Sequence, residues 1–285
     1  MFEKVLLATD FSPAYERLIK CVSELKEIGT KEVLMTWVVN ARSAGTSAGE
    51  YRENHLNKLK EKGDELQEIG LKVFYEAPIG FPSQEICLMA QEREVDLIVI
   101  GSRGERTIRD MFLGSTTSNV IRITKVPTLV EKIEPDQDSS SESYRSACKH
   151  KFKSLLLATD FSENAQEAER MAIKLAPKAD KITILSVAET GIREKTGSPA
   201  VPKDKTELEP IREKFAEICD NVVVRFETGV ASDNVNHVAE EEDATLIIMG
   251  KRGKGGIKEL LLGSTAEAVS RRSKIPVMLI PKKEE

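Results

Sequence analysis

The chain has no apolar run approaching the roughly eighteen residues that cross a bilayer as a helix, which excludes a membrane-spanning helix. Its four cysteines, Cys21, Cys87, Cys148 and Cys219, are widely spaced and form no C-x-x-C pair. That spacing argues against a disulfide framework or a zinc site. Cys21, Cys87 and Cys219 are expected as small apolar residues on helices, and Cys148 as a thiol in a linker. The three histidines, His55, His150 and His237, each stand alone, and none is assigned chemistry. A basic surplus is also missing: 42 Lys and Arg against 47 Asp and Glu leave a net charge of −5, which weighs against a general nucleic-acid binder. Nor is there a cleavable leader pattern, because Met1 runs almost directly into Val5-Leu6-Leu7-Ala8-Thr9-Asp10. The expected location is therefore the cytoplasm.

What is present points to two globular domains. The chain has 285 residues, 40% hydrophobic and 31% charged, enough for two domains that each bury a core. Val5 to Thr9 reads as a short strand ending at Asp10, after which Ser12 and Pro13 suit a helix start. Leu18, Ile19, Val22, Leu25 and Ile28 give that helix its apolar stripe, and Gly29 ends it. Val33 to Val39 reads as a second strand, followed by a polar loop over Asn40 to Glu50. Leu56, Leu59, Leu66 and Ile69 mark a long amphipathic helix, and Val73 to Tyr75 a third strand. Ser83 is placed to cap a helix through Ile86 and Met89, the run Leu97 to Ile100 is a strand buried on both faces, and Thr128 to Val130 is the last strand. Strands alternating with helices imply right-handed β-α-β units and a parallel sheet covered on both faces. Lys132 to Lys151, with Pro135-Asp-Gln-Asp-Ser-Ser-Ser-Glu inside it, has the composition of a solvated linker. The second half then repeats the first. An offset of 150 residues joins Asp10 to Asp160, and one of 149 joins Gly80 to Gly229, Gly101 to Gly250 and Pro127 to Pro276. This is a duplicated domain, with boundaries at 1–133, 134–150 for the linker and 151–285.

The chemistry concentrates where the fourth strand of each half ends. Gly101-Ser-Arg-Gly104 is followed, nine residues later, by Gly114-Ser115-Thr116, and Gly250-Lys-Arg-Gly253 by Gly263-Ser264-Thr265 at the same spacing. A buried strand, a glycine-bearing loop and a helix start rich in hydroxyls present free backbone N–H groups, which favour an anion such as phosphate. In an open parallel sheet, ligands sit beyond the carboxyl ends of the strands where the winding reverses. With strands one and four adjacent, Asp10 or Asp160 would share a crevice with its glycine loop, suiting a nucleotide. The pattern is no Rossmann fingerprint, since strand one lacks glycine, and no P-loop, since Leu113-Gly114 precede Ser115 where a lysine would stand.

In these residues the chain resembles the universal stress protein family in its tandem two-domain form. The ATP-binding members carry G-2x-G-9x-G-(S/T), and both halves match it along with the strand-one Asp. The resemblance covers nearly the whole chain except the linker and the loops after the second strands. It implies an α/β fold of two open five-stranded parallel sheets, order 3-2-1-4-5, with helices on both faces, Rossmann-like and similar to the adenine nucleotide alpha hydrolases. It also implies which residues bind. Ala8, Thr9 and Asp10 would line the nucleoside side, and Val38 or Val39 would offer backbone atoms to adenine. Gly101 and Gly104, with Arg103 between them, would approach ribose and phosphate, and Gly114, Ser115 and Thr116 would hold the phosphates. The second half supplies Ala158, Thr159, Asp160, Val187, Gly250, Arg252, Gly253, Gly263, Ser264 and Thr265 in the same roles. The ligand so implied is ATP or AMP, with Mg²⁺ accompanying a triphosphate. The family further implies a homodimer and pairing of the two domains through their fifth strands.

Plainer readings stand beside these. A glycine after a buried strand can be only a turn, Asp10 and Asp160 can simply cap the next helix, and Ser115 and Ser264 make good N-caps with or without phosphate. Lys251, Arg252 and Lys254 crowd the second loop, either as a solvated face or as charge-assisted phosphate contacts. There is no G-x-S-x-G, no nucleophilic Cys/His pair and no acidic motif beside either loop of the kind that positions metal for phosphoryl transfer. No catalytic residue and no protein metal ligand is therefore expected, and the function expected is regulatory nucleotide binding in a stress response. The rival expectations are a slow ATP hydrolase or phosphotransferase, and a dimerising scaffold that binds no nucleotide.

Overall fold

The computed structural model describes residues 1–10, 15–102, 113–135, 144–146, 150–188, 205–254 and 262–283. They divide into two compact units, Met1–Lys149 and His150–Glu285. In the first, strands β1 (Lys4–Ala8), β2 (Glu32–Thr36), β3 (Lys72–Glu76), β4 (Leu97–Gly101) and β5 (Thr128–Glu131) alternate with helices α1 (Tyr15–Ser23), α2 (Ala48–Glu68), α3 (Pro82–Glu92) and α4 (Ser115–Ile123). All neighbouring strands pair in parallel, in the order β3-β2-β1-β4-β5. Val5, Leu6 and Leu7 on β1 and Leu97, Ile98 and Val99 on β4 have no exposed surface, because helices cover both faces of these central strands. Burying each such side chain contributes about 1.5–3 kcal/mol before the entropy of ordering it is set against the gain.

The second unit repeats the arrangement. Strands β6 (Ser154–Ala158), β7 (Lys181–Ala188), β8 (Val222–Thr228), β9 (Leu246–Gly250) and β10 (Val277–Ile280) alternate with α5 (Glu163–Leu175), α6 (Glu209–Ala216), α7 (Ala231–Glu241) and α8 (Ser264–Arg272). Their parallel order is β8-β7-β6-β9-β10. In each unit the winding reverses between the first and fourth strands, so the first strand tip and the glycine loop leave the same edge of the sheet side by side.

Several local expectations need correction. The second strand does not run through Val39: β2 stops at Thr36, and Val39–Asn40 forms a separate parallel pairing with Ile79–Gly80. The polar stretch after it is largely helical, because Asn40 accepts a hydrogen bond from the Arg42 N–H at 3.0 Å and caps a short helix over Ala41–Ala44. Helix α3 begins at Pro82, with Phe81 rather than Ser83 at its cap, since proline suits the first helical position. Ile69, assigned to an apolar stripe, is exposed. Part of the linker is ordered, with Ile133–Pro135 pairing antiparallel with Tyr144–Ser146. Lys132 and Lys151, at its ends, are buried where solvated side chains were expected. Cys21 is disulfide-bonded, a pairing that depends on tertiary proximity and leaves no trace in cysteine spacing. Cys87 and Cys219 are free, while Ser12, Pro13 and Cys148 lie outside the described residues.

Candidate functional site: strand tips and glycine loops

In the second unit the strand tip is built by its own side chains. Thr159 extends the parallel ladder, donating its N–H to the Leu185 carbonyl at 2.9 Å. The chain then turns sharply. Phe161 takes a φ of 61°, an unfavourable region for a bulky residue, and two side chains stabilise the turn. Thr159 Oγ1 accepts the Phe161 N–H at 3.1 Å, and Asp160 Oδ1 accepts the Ser162 N–H at 3.0 Å. Ser162 in turn accepts the Ala165 N–H at 3.3 Å and starts α5 as its N-cap.

The glycine loop meets that tip. Asp160 Oδ2 accepts the backbone N–H of Lys254 at 2.8 Å. A Cβ on Gly253 would stand 2.4 Å from the same oxygen, so a side chain there would push the carboxylate away. Gly250, at the end of β9, is close-packed differently: its Cβ would lie 2.8 Å from the Asn164 carbonyl carbon, so strand and α5 approach through a glycine. Lys251 donates its N–H to the Ile280 carbonyl at 2.8 Å and accepts from Gly263 N–H at 2.9 Å, which pins both ends of the loop. Its side chain is buried, whereas Arg252 and Lys254 are partly exposed. The Lys254 ammonium lies 5.5 Å above the Phe161 ring. Gly263, not Ser264, caps α8, and among the described residues this cap makes no side-chain hydrogen bond.

The first unit shares the frame. Thr9 donates to the Thr36 carbonyl at 3.0 Å, Ser102 to Glu131 at 2.7 Å and Gly114 to Ser102 at 2.9 Å. Gly114 rather than Ser115 is the cap of α4, again without a side-chain bond. Thr117, one turn into α4, donates its hydroxyl to the Gly101 carbonyl at 2.7 Å, a tie replaced in the other copy by Ala266. Asp10 and Ala8 stand at the tip of β1, and Arg103 and Gly104 lie outside the described residues. Val38 and Val39 are buried beyond the end of β2, while Val187 is half-buried near the end of β7.

The copies differ beside this position. Trp37 stacks on His55 of α2 with ring centroids 3.3 Å apart and planes within 2°, whereas the matching residue in the second unit is Ser186. Burial pushes the His55 pKa down, with the Lys58 charge adding to the shift and a hydrogen bond to the Trp37 backbone opposing it. Thr117, Asn164 and the Trp37–His55 stack escaped the sequence reading. The hydroxyl three residues after Gly114 was the only visible cue to any of them.

Two grooves lie elsewhere. One of about 390 Å³ lies between α3 and α4, and its counterpart of about 280 Å³ between α7 and α8; neither is lined by a strand tip or a glycine loop. Among the described residues, no three His, Cys, Asp or Glu side chains are grouped to hold a metal ion, and no helix is long and apolar enough to cross a membrane.

The same duplication is visible in comparisons with known proteins. A family model described as the universal stress protein family matches residues 1–132 and again 151–281. Universal stress protein MJ0577 of Methanocaldococcus jannaschii is 32% identical over 155 residues, covering 46% of this chain and 96% of that protein. Universal stress protein Rv2623 of Mycobacterium tuberculosis is 22% identical over 291 residues, covering 96% of this chain and 95% of its own. A universal stress protein structure from Archaeoglobus fulgidus superposes with a TM-score of 0.77 at 26% identity, covering 99% of this chain and 100% of that one. Matched by the family model in both halves, the chain belongs to the universal stress protein family.

Proposed function

We propose that this chain is an adenine-nucleotide-binding regulatory protein of the stress response, with one site for ATP or AMP in each domain and no dedicated catalytic machinery. The observation that carries the reading is the meeting of Asp160 with the Gly253–Lys254 bend at the sheet edge where the winding reverses. Open parallel sheets bind ligands at that edge. The amides of Ser264 and Thr265 open α8 beside the loop without a side-chain cap, a donor set that fits phosphate. On this reading Asp160, Thr159 and Val187 stand at the nucleoside end, with Ala158 beneath them. Gly250, Arg252, Gly253, Gly263, Ser264 and Thr265 stand at the phosphate end. Ala8, Thr9, Asp10, Val38, Val39, Gly101, Arg103, Gly104, Gly114, Ser115 and Thr116 form the matching set. Magnesium belongs to the reading only as the counter-ion a triphosphate brings. A cytoplasmic homodimer is the working form we propose.

The decisive experiment is to denature the purified protein, extract it and identify any released nucleotide by mass, alongside direct titration with ATP, AMP and adenosine. Absence of an adenine compound together with no titratable binding would overturn the reading in favour of a scaffold. Replacing Lys251, Arg252 and Lys254 together by Gln should weaken triphosphate more than adenosine. Equal weakening of both would show that the loop charges do not address phosphate.

A further inference from the structure

Asp160 has both carboxylate oxygens committed to backbone amides: Oδ1 to Ser162 within the strand-tip turn, and Oδ2 to Lys254 across the crevice. Bonds from amides to a carboxylate are charge-assisted, and this pair holds the Asp160 carboxylate in one orientation while leaving each oxygen a further lone pair. The two bonds also spread a negative charge that would otherwise repel an incoming phosphate. Gly253 fits the same picture. Its missing Cβ opens the space occupied by Asp160 Oδ2, 2.4 Å from where that carbon would be. The ends of the loop are fixed by main-chain bonds from Lys251 and to its carbonyl from Gly263. The described residues after its start are fixed to the strand tip by Asp160 at the Lys254 N–H, with the Lys254 ammonium over Phe161 as a weaker second tie. The tip itself is held rigid by the Thr159 and Asp160 bonds that stabilise Phe161 in its left-handed conformation.

We infer that Asp160 is a positioning residue: its carboxylate holds the Gly253–Lys254 bend so that the loop and the α8 N-terminus face one phosphate, and its effect on binding passes through the loop. This rests on the nucleotide reading for its consequence, but the anchoring itself does not. Amide hydrogen exchange on the full-length chain without ligand tests the anchor directly. In Asp160→Ala, peptides covering Gly250–Lys254 should exchange about tenfold faster, while Leu246–Met249 in the core of β9 keeps its protection as a control for folding. Asp160→Asn retains one acceptor oxygen and should fall between the two. Unchanged exchange of Gly250–Lys254 in Asp160→Ala would overturn the anchor.

The binding arm follows protection of Ser264 and Thr265 during titration, so that the second site reports alone. ATP affinity in Asp160→Ala should fall about tenfold and adenosine affinity less than about twofold. Equal loss for both ligands would overturn the inference, because the carboxylate would then contact the nucleoside. If the unsubstituted chain binds neither ligand, the nucleotide reading fails and the exchange comparison still decides the anchor.

Discussion

Gly250 and Asn164 are packed so closely that a Cβ on the glycine would lie 2.8 Å from both the carbonyl carbon and the Cβ of Asn164. The contact is backbone against backbone, so neither partner can rotate away. Gly250→Ala should therefore destabilise the second domain by about 1–3 kcal/mol through overpacking, seen as a lower urea midpoint. An unchanged midpoint with loss of nucleotide binding would instead assign Gly250 to ligand contact alone.

Arg225 on β8 gathers three carboxylates, Glu227 at 2.8 Å, Glu241 at 2.8 Å and Glu242 at 2.6 Å. Its replacement by Met leaves those charges facing one another. The loss should be about 1–2 kcal/mol, discounted because the Arg225 side chain is about 25% exposed, and it should shrink in high salt. Lys181, then Arg225, holds the Glu242 carboxyl below its usual range of about 4.5. That contribution is complete above this value and is lost as pH falls through the lower folded-state pKa. Thermal melts of Glu242→Gln and the parent chain should therefore converge in acid.

Trp37 is the sole tryptophan, and its ring lies on His55. Burial favours the neutral imidazole, whose Nδ1 has no hydrogen-bond partner among the described residues. His55 thus titrates below 6.5 in the fold, and its contribution to stability is complete above 6.5 and declines as pH falls toward the folded value. Tryptophan emission should show a step below pH 6.5 that vanishes in His55→Gln. A step that survives the substitution would place the titrating group elsewhere.

Thr117→Val deletes the 2.7 Å bond to the Gly101 carbonyl and preserves side-chain shape. About 1 kcal/mol of stability in the first domain should go with it, measured by chemical denaturation. No loss would mean that the Gly101 carbonyl finds another donor.

The strand frame was legible because Leu97–Ile100 and Leu246–Met249 are uninterrupted apolar runs, and because the same spacing occurred twice. The glycine loops were legible from that spacing too. Partnerships across the fold were not. Nothing in Gly253 alone indicates that its empty side faces Asp160, and nothing in Asn40 alone indicates that its carboxamide will turn a polar stretch into helix. Cys21 was misread for the same reason, since bonding partners distant in sequence meet only after folding.

The Thr117 hydroxyl has no equivalent at Ala266, so the first half has a side-chain tie at this bend that the second cannot make from the matching position. From Gly101 onward, adding 149 to a residue number carries a backbone position from one half to the other but not the energy stored there. A substitution tolerated in one half therefore says little about its twin, and each must be engineered on its own terms.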